Sequence, residues 1–130
     1  MDVLGRDPSF DLIVMEITAG GIDRDPDALA SARSSVAVNH VTSRVALRDG
    51  DVSTLALDTV AVVTANLTGV ALVDLAPVIT RLAEPGGHLV LGGILAEEER
   101  AVTQAYRACA PVWRGVEDDW VGLVLRNGTR

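Results

Sequence analysis

Apolar and polar positions follow two rhythms along the chain. Short runs rich in β-branched residues alternate with longer stretches whose apolar residues recur every three or four positions. The first rhythm predicts buried strands and the second predicts helices laid on them, so the pattern reads as βα units around a mostly parallel sheet. Phe10 to Ile17 (FDLIVMEI) reads as a buried, strand-like run, and a strand then ends at Gly20-Gly21-Ile22-Asp23. Asp25-Pro26-Asp27 opens a helix: Asp25 caps free N–H groups, Pro26 suits the first helical position and Asp27 complements the dipole. Leu29, Ala32 and Val36 fall on one face of this helix, and Asn39-His40 closes it.

Val45 to Leu47 predicts a short strand before Asp49-Gly50-Asp51. Thr59 to Ala65 (TVAVVTA), apolar throughout and free of charge, predicts the central strand. Val70 to Leu82 predicts one helix with Leu72, Leu75, Ile79 and Leu82 inward, interrupted in its hydrogen bonding by Pro77. Pro85-Gly86-Gly87 reads as a turn and His88 to Leu91 as a further strand. Ala96 to Cys109 predicts a helix with three acids in its first turn and Val102, Ala105, Tyr106 and Cys109 on its inner face. Val112 to Val116 and Trp120 to Arg126 predict two strands joined by Glu117-Asp118-Asp119, a connection short enough to force antiparallel pairing.

Three polar residues stand where strands meet their following segments, the edge at which open α/β sheets bind ligands. Asp23 ends its strand and can accept both hydroxyl hydrogens of a ribose, or merely help cap the next helix. Asp51 can reach an adenine amino group, or serve as turn chemistry in an acid–glycine–acid run. Asn66 follows the charge-free strand directly. Its carbonyl can accept from an amine and orient the lone pair, or it can simply form a turn. His40 and His88 have no partner spacing for a metal, and Trp113 and Trp120 read as packing residues.

Composition narrows the partners. The 130 residues suit one domain, and a formal charge of −7, with every base an arginine, argues against a nonspecific grip on nucleic acid or an anionic membrane. An acidic surface can attract a basic protein. The single cysteine, Cys109, fits a reducing cytoplasm and reads as a small apolar residue. The start of the chain, MDVLGRDPSFD, is not expected to be a signal peptide, and the apolar stretch from Thr59 to Val73 is too short to span a bilayer.

These segments resemble class I S-adenosylmethionine-dependent methyltransferases. GIDRDPDALASAR (21–33) is similar to their second motif, DGD (49–51) to the third, TANLTGVAL (64–72) to the fourth, LAEPGGHLVLGGIL (82–95) to the Pro-Gly-Gly turn and fifth strand, and DDWVGLVLR (118–126) to the closing strand. The pattern most resembles the PrmA-type ribosomal protein methyltransferases, which methylate a ribosomal stalk-base protein on amino groups. The resemblance runs from about Gly20 to Arg126. It implies a Rossmann-like α/β sheet, mostly parallel with an antiparallel C-terminal hairpin, in which 20–130 form a partial catalytic domain and 1–19 a strand-like or irregular lead. It implies that Asp23, Arg24, Asp51, Val52 and Asn66 contact S-adenosylmethionine, that Asn66 also orients the amine, and that the partner is a ribosomal protein.

One departure is legible. Family members carry a first strand, a glycine-rich loop and a helix before the second strand. Here only Ile17 to Gly21 lie between Glu16 and Ile22, whereas a parallel crossover needs at least about 10–12 residues. The first βα unit is therefore not expected in this chain, nor is the substrate-recognition domain that precedes it in the family. Loss of the loop amides implies weak cofactor binding, and the alternative function is a non-catalytic remnant or interaction module. A nicotinamide-cofactor binder fits less well, given the Pro-Gly-Gly turn and terminal hairpin.

Overall fold

The computed structural model describes residues 12–15 and 19–128. Seven strands form one sheet in the order β3-β2-β1-β4-β5-β7-β6. They are β1 (Leu12–Met15), β2 (Ala19–Asp23), β3 (Val45–Asp49), β4 (Val60–Asn66), β5 (Ala83–Leu95), β6 (Ala110–Glu117) and β7 (Trp120–Arg126). The helices are α1 (Pro26–Val38), α2 (Gly69–Asp74), α3 (Ala76–Leu82) and α4 (Glu99–Ala105), the last entered through a 3-10 turn, Ala96–Glu98.

β2 and β3 pair in parallel, as do β4 and β5, and β1 runs antiparallel to both β2 and β4. The strands ending near Asp23, Leu47, Ala65 and Leu91 therefore point one way, as the βα rhythm predicts. β7 is antiparallel to β5 and β6, with Glu117 opposite Trp120, so the acidic turn closes the expected hairpin. The short lead between β1 and β2 has the consequence its length demands: Met15 faces Ala19 in an antiparallel register. β1 thus fills the place between two parallel strands with a reversed one. Phe10, Asp11, Glu16 and Ile17 of the expected run lie outside the described residues.

α1 begins as its sequence dictates. The Asp25 carboxylate accepts the Asp27 N–H at 2.9 Å and Pro26 takes the first turn. It ends on Asn39 with His40 in the left-handed region (φ 57°), whose N–H reaches Ala37 O while the Val41 N–H reaches Val36 O. That pair of bonds satisfies the last carbonyls of the helix.

Three expectations are corrected. The helix over Val70 to Leu82 is two helices that meet at Leu75. Pro77, at the start of the second, has no N–H to continue the ladder, so α3 restarts with Ile79 N–H on Leu75 O at 2.8 Å. The helix from Ala96 to Cys109 stops at Ala105, and Tyr106 to Cys109 form turns that deliver the chain to β6. The Pro85-Gly86-Gly87 turn is a bulge within β5: Val60 faces Ala83 and Val62 faces His88, so β5 advances five residues while β4 advances two. Gly86 (φ 80°) makes the bend, and a Cβ on Gly87 would press on Ala61 O at 2.8 Å. Asn127 holds the bulge by accepting the Gly86 N–H and donating its own N–H to Gly87 O.

The main core lies where α2, α3 and α4 cover β4, β5 and β7. Val63, Leu72, Ile79, Leu89, Ile94 and Val102 are fully buried there. Tyr106 joins them and donates its hydroxyl to Leu72 O at 2.8 Å. Trp113 and Trp120 do not share this core; each is more than half exposed, and the Trp113 indole lies over Gly115 and Gly122.

Candidate cofactor site

Because β2, β3 and β4 point the same way, their carboxyl ends share one edge of the sheet. A cavity of about 250 Å³ opens there, lined by Ile22 and Asp23 at the end of β2 and Arg24 just after it, from the turn after β3 by Gly50, Asp51 and Val52, and from the segment after β4 by Leu67, Ala71, Asp74 and Leu75.

Asp23 is 7% exposed. Its Oδ1 accepts the Asp25 N–H at 2.9 Å, which begins the turn into α1. Its Oδ2 is buried with no hydrogen-bond partner among the described residues. A buried carboxylate oxygen without a donor is costly, and such atoms in native structures call for an explanation. A ligand hydroxyl entering the cavity supplies one. The Gly50 N–H donates to the Asp23 backbone carbonyl at 3.1 Å, tying the β3 turn to the end of β2. Gly50 holds φ 146°, a conformation that a side chain would strain.

Asp51 is fixed differently. Its Oδ1 accepts from the Ser53 hydroxyl at 2.6 Å and the Ser53 N–H at 2.9 Å, and the Arg24 guanidinium lies 3.6 Å from Oδ2. The Ser53 hydrogen bonds, with a smaller contribution from Arg24, hold its carboxyl below the usual carboxylate range. At neutral pH Asp51 is an anion with lone pairs available to a ligand amine.

Asn66 ends β4 at the same edge, opposite Gly92, but does not line the cavity; its neighbour Leu67 does. Its side-chain oxygen lies against the Gly92–Gly93 backbone. A Cβ on Gly93, which adopts φ 79°, would come within 2.9 Å of that oxygen. The structure thus brings Asp23, Arg24, Asp51 and Val52 into one cavity and leaves Asn66 beside it, exposed. Leu67, Ala71, Asp74 and Leu75 carry no site expectation from sequence, Leu75 being read only as an inward residue of its helix. Asp74 alone carries a signal there, as the charge that ends the apolar run from Thr59. Among the described residues no group of His, Cys, Asp and Glu is arranged to hold a metal.

The sheet order, the reversed β7 and a cavity at the strand ends define the class: the fold is that of class I S-adenosylmethionine-dependent methyltransferases. A ribosomal protein L11 methylase from Lactobacillus delbrueckii subsp. bulgaricus superposes with a TM-score of 0.77 at 18% identity, over 84% of this chain and 57% of that one. An RNA methyltransferase from Salinibacter ruber in complex with S-adenosyl-L-homocysteine gives 0.67 at 21% identity, over 85% and 66%. Within that class, residues 12–128 match the family described as ribosomal protein L11 methyltransferase (PrmA), and the chain belongs to this family. The ribosomal protein L11 methyltransferase of Cupriavidus taiwanensis is 35% identical over 92% of this chain and 39% of its own length. That of Haemophilus ducreyi is 41% identical over 68% and 30%. The chain therefore spans well under half the length of these curated relatives. No helix among the described residues is long and apolar enough to cross a membrane.

Proposed function

We propose that this chain is the nucleoside-binding part of a methyltransferase catalytic domain that takes S-adenosylmethionine as cofactor and methylates amino groups of a ribosomal protein in the cytoplasm. The observation that carries the reading is Asp23, a residue lining the cavity whose buried Oδ2 has no hydrogen-bond partner among the described residues. When bound, the cofactor supplies an electrophilic sulfonium methyl group. Asp23 accepts a ribose hydroxyl, and Asp51, kept ionised by Ser53 and Arg24, accepts the adenine amine. Ile22, Val52, Leu67 and Leu75 supply apolar surface for the ring. Asn66, beside the cavity, receives the substrate amine on its carbonyl oxygen and aims the nitrogen lone pair, so the contribution of the chain is positioning.

The tight β1–β2 connection favours a second reading, a non-catalytic relative. Three residues stand between Met15 and Ala19, too few for a glycine-rich loop and crossover helix. The residues present therefore fit the adenosine portion of the cofactor, and contacts expected for its amino-acid end are missing among the described residues. Two charged-acceptor hydrogen bonds, worth about 1.5–3 kcal/mol each, must offset an immobilisation cost of about 4 kcal/mol or more. The expected dissociation constant is of millimolar order. Calorimetric titration with S-adenosylmethionine, beside Asp23→Ala, tests this. Millimolar binding abolished in the variant supports the proposal. Undetectable binding sinks it in favour of the non-catalytic reading, and micromolar binding shows that 10–21 replaces the loop.

A further inference from the structure

Asp74 is the last residue of α2, exposed, and without a hydrogen-bond or ion-pair partner among the described residues. It stands between the C-terminus of α2 and the N-terminus of α3, where the two dipole ends offset one another, and no side chain among the described residues pairs with it. It lies on the wall of the same cavity as Asp23 and Asp51. Three carboxylates thus face one guanidinium, Arg24, whose side chain is 77% exposed and which approaches only Asp51. The buried, donorless Oδ2 of Asp23 independently marks the cavity as a place for a ligand.

Resting on the nucleoside reading above, we propose that Asp74 is a specificity-determining residue that makes this cavity select a positively charged nucleoside, a sulfonium, over the neutral thioether. The acids are not arranged to grip a metal ion, so their charge acts as a diffuse negative field. Apolar walls from Ile22, Val52, Leu67 and Leu75 strengthen that field relative to open water. In methyl transfer the amine lone pair forms the new N–C bond as the S–C electron pair moves onto sulfur; the nitrogen gives up a proton to solvent and the sulfonium becomes a thioether. The same field therefore holds the charged cofactor and releases the neutral product.

The test uses the whole chain with 5′-methylthioadenosine and its S-methylated sulfonium, which both lack the amino-acid end and differ by one methyl and one charge. Calorimetry at low salt is expected to show the sulfonium bound about fivefold more tightly. In Asp74→Asn the ratio falls towards one while the thioether affinity stays, and Asp74→Glu restores it. At high salt the ratio in the unaltered chain also collapses. Equal affinities in the unaltered chain, or an unchanged ratio in Asp74→Asn, overturn the inference. If the thioether still binds in an Asp23-dependent way, the nucleoside reading survives that failure. Binding of neither compound at millimolar concentration removes both.

Discussion

In the layer where α2, α3 and α4 cover β4 and β5, the buried polar groups are paired. The Tyr106 hydroxyl reaches Leu72 O, and the Asn127 amide reaches both Thr80 O and Ala83 O. At the end of β2, Asp23 is nearly as buried as Tyr106, yet one of its oxygens has no donor among the described residues. The first region is organised around apolar burial with its polar atoms satisfied. The second keeps a carboxylate, a left-handed glycine turn and an open cavity at a strand end. On the proposed reading the contrast separates residues that hold the fold from residues that take the ligand, and substitutions should divide along it.

The largest expected effect is in the covered layer. Ile79→Ala removes a fully buried side chain between α3 and the sheet and should cost about 2–5 kcal/mol in urea unfolding. A loss under about 1 kcal/mol would mean that α3 does not close the core. Next comes Tyr106→Phe, which leaves Leu72 O without its donor and should cost about 1–3 kcal/mol. Burial pushes the Tyr106 phenol well above its ordinary value of 10.0, so the folded chain keeps a proton that the unfolded chain loses. Its contribution to stability is complete below about pH 10 and declines above it. Unfolding midpoints followed from pH 9 to 12 should fall less steeply in Tyr106→Phe. The smallest stability effect is expected at the other region. Asp23→Asn keeps an oxygen for the Asp25 N–H and removes a buried charge, so the unfolding midpoint should not drop even though nucleoside binding is lost. A large drop in thermal midpoint would place Asp23 among the residues that hold the fold and erase the contrast.

Much of this was legible in the chain itself. Asp25-Pro26-Asp27 and Asn39-His40 bound α1 because caps act within a few residues of sequence. The direction of β2 to β5 follows from βα alternation, and the β6–β7 hairpin from the short acidic connection Glu117-Asp118-Asp119. The end-of-strand positions of Asp23 and Asp51 could be read for the same reason. The places where the reading failed involve partners distant in sequence. Pro77 announced an interruption, but whether the helix would kink or restart depended on Leu75 serving as the end of one helix and the start of the next. The Pro-Gly-Gly run became a strand bulge because Asn127, forty residues on, pairs with it.

By itself the sequence determined the alternation of elements, the caps of α1, the acids at the strand ends and, by counting the residues before Ile22, that β1 and β2 could not be joined by a parallel crossover. The tertiary structure decided that β1 inserts backwards between β2 and β4, that Asp74 joins Asp23 and Asp51 around one cavity while Asn66 stands beside it, and that one Asp23 oxygen has no donor among the described residues. The division has a single physical cause. Caps, turns and hydrophobic period are set by neighbours along the chain, whereas strand order, cavities and the satisfaction of a buried carboxylate depend on which distant segments the fold places side by side.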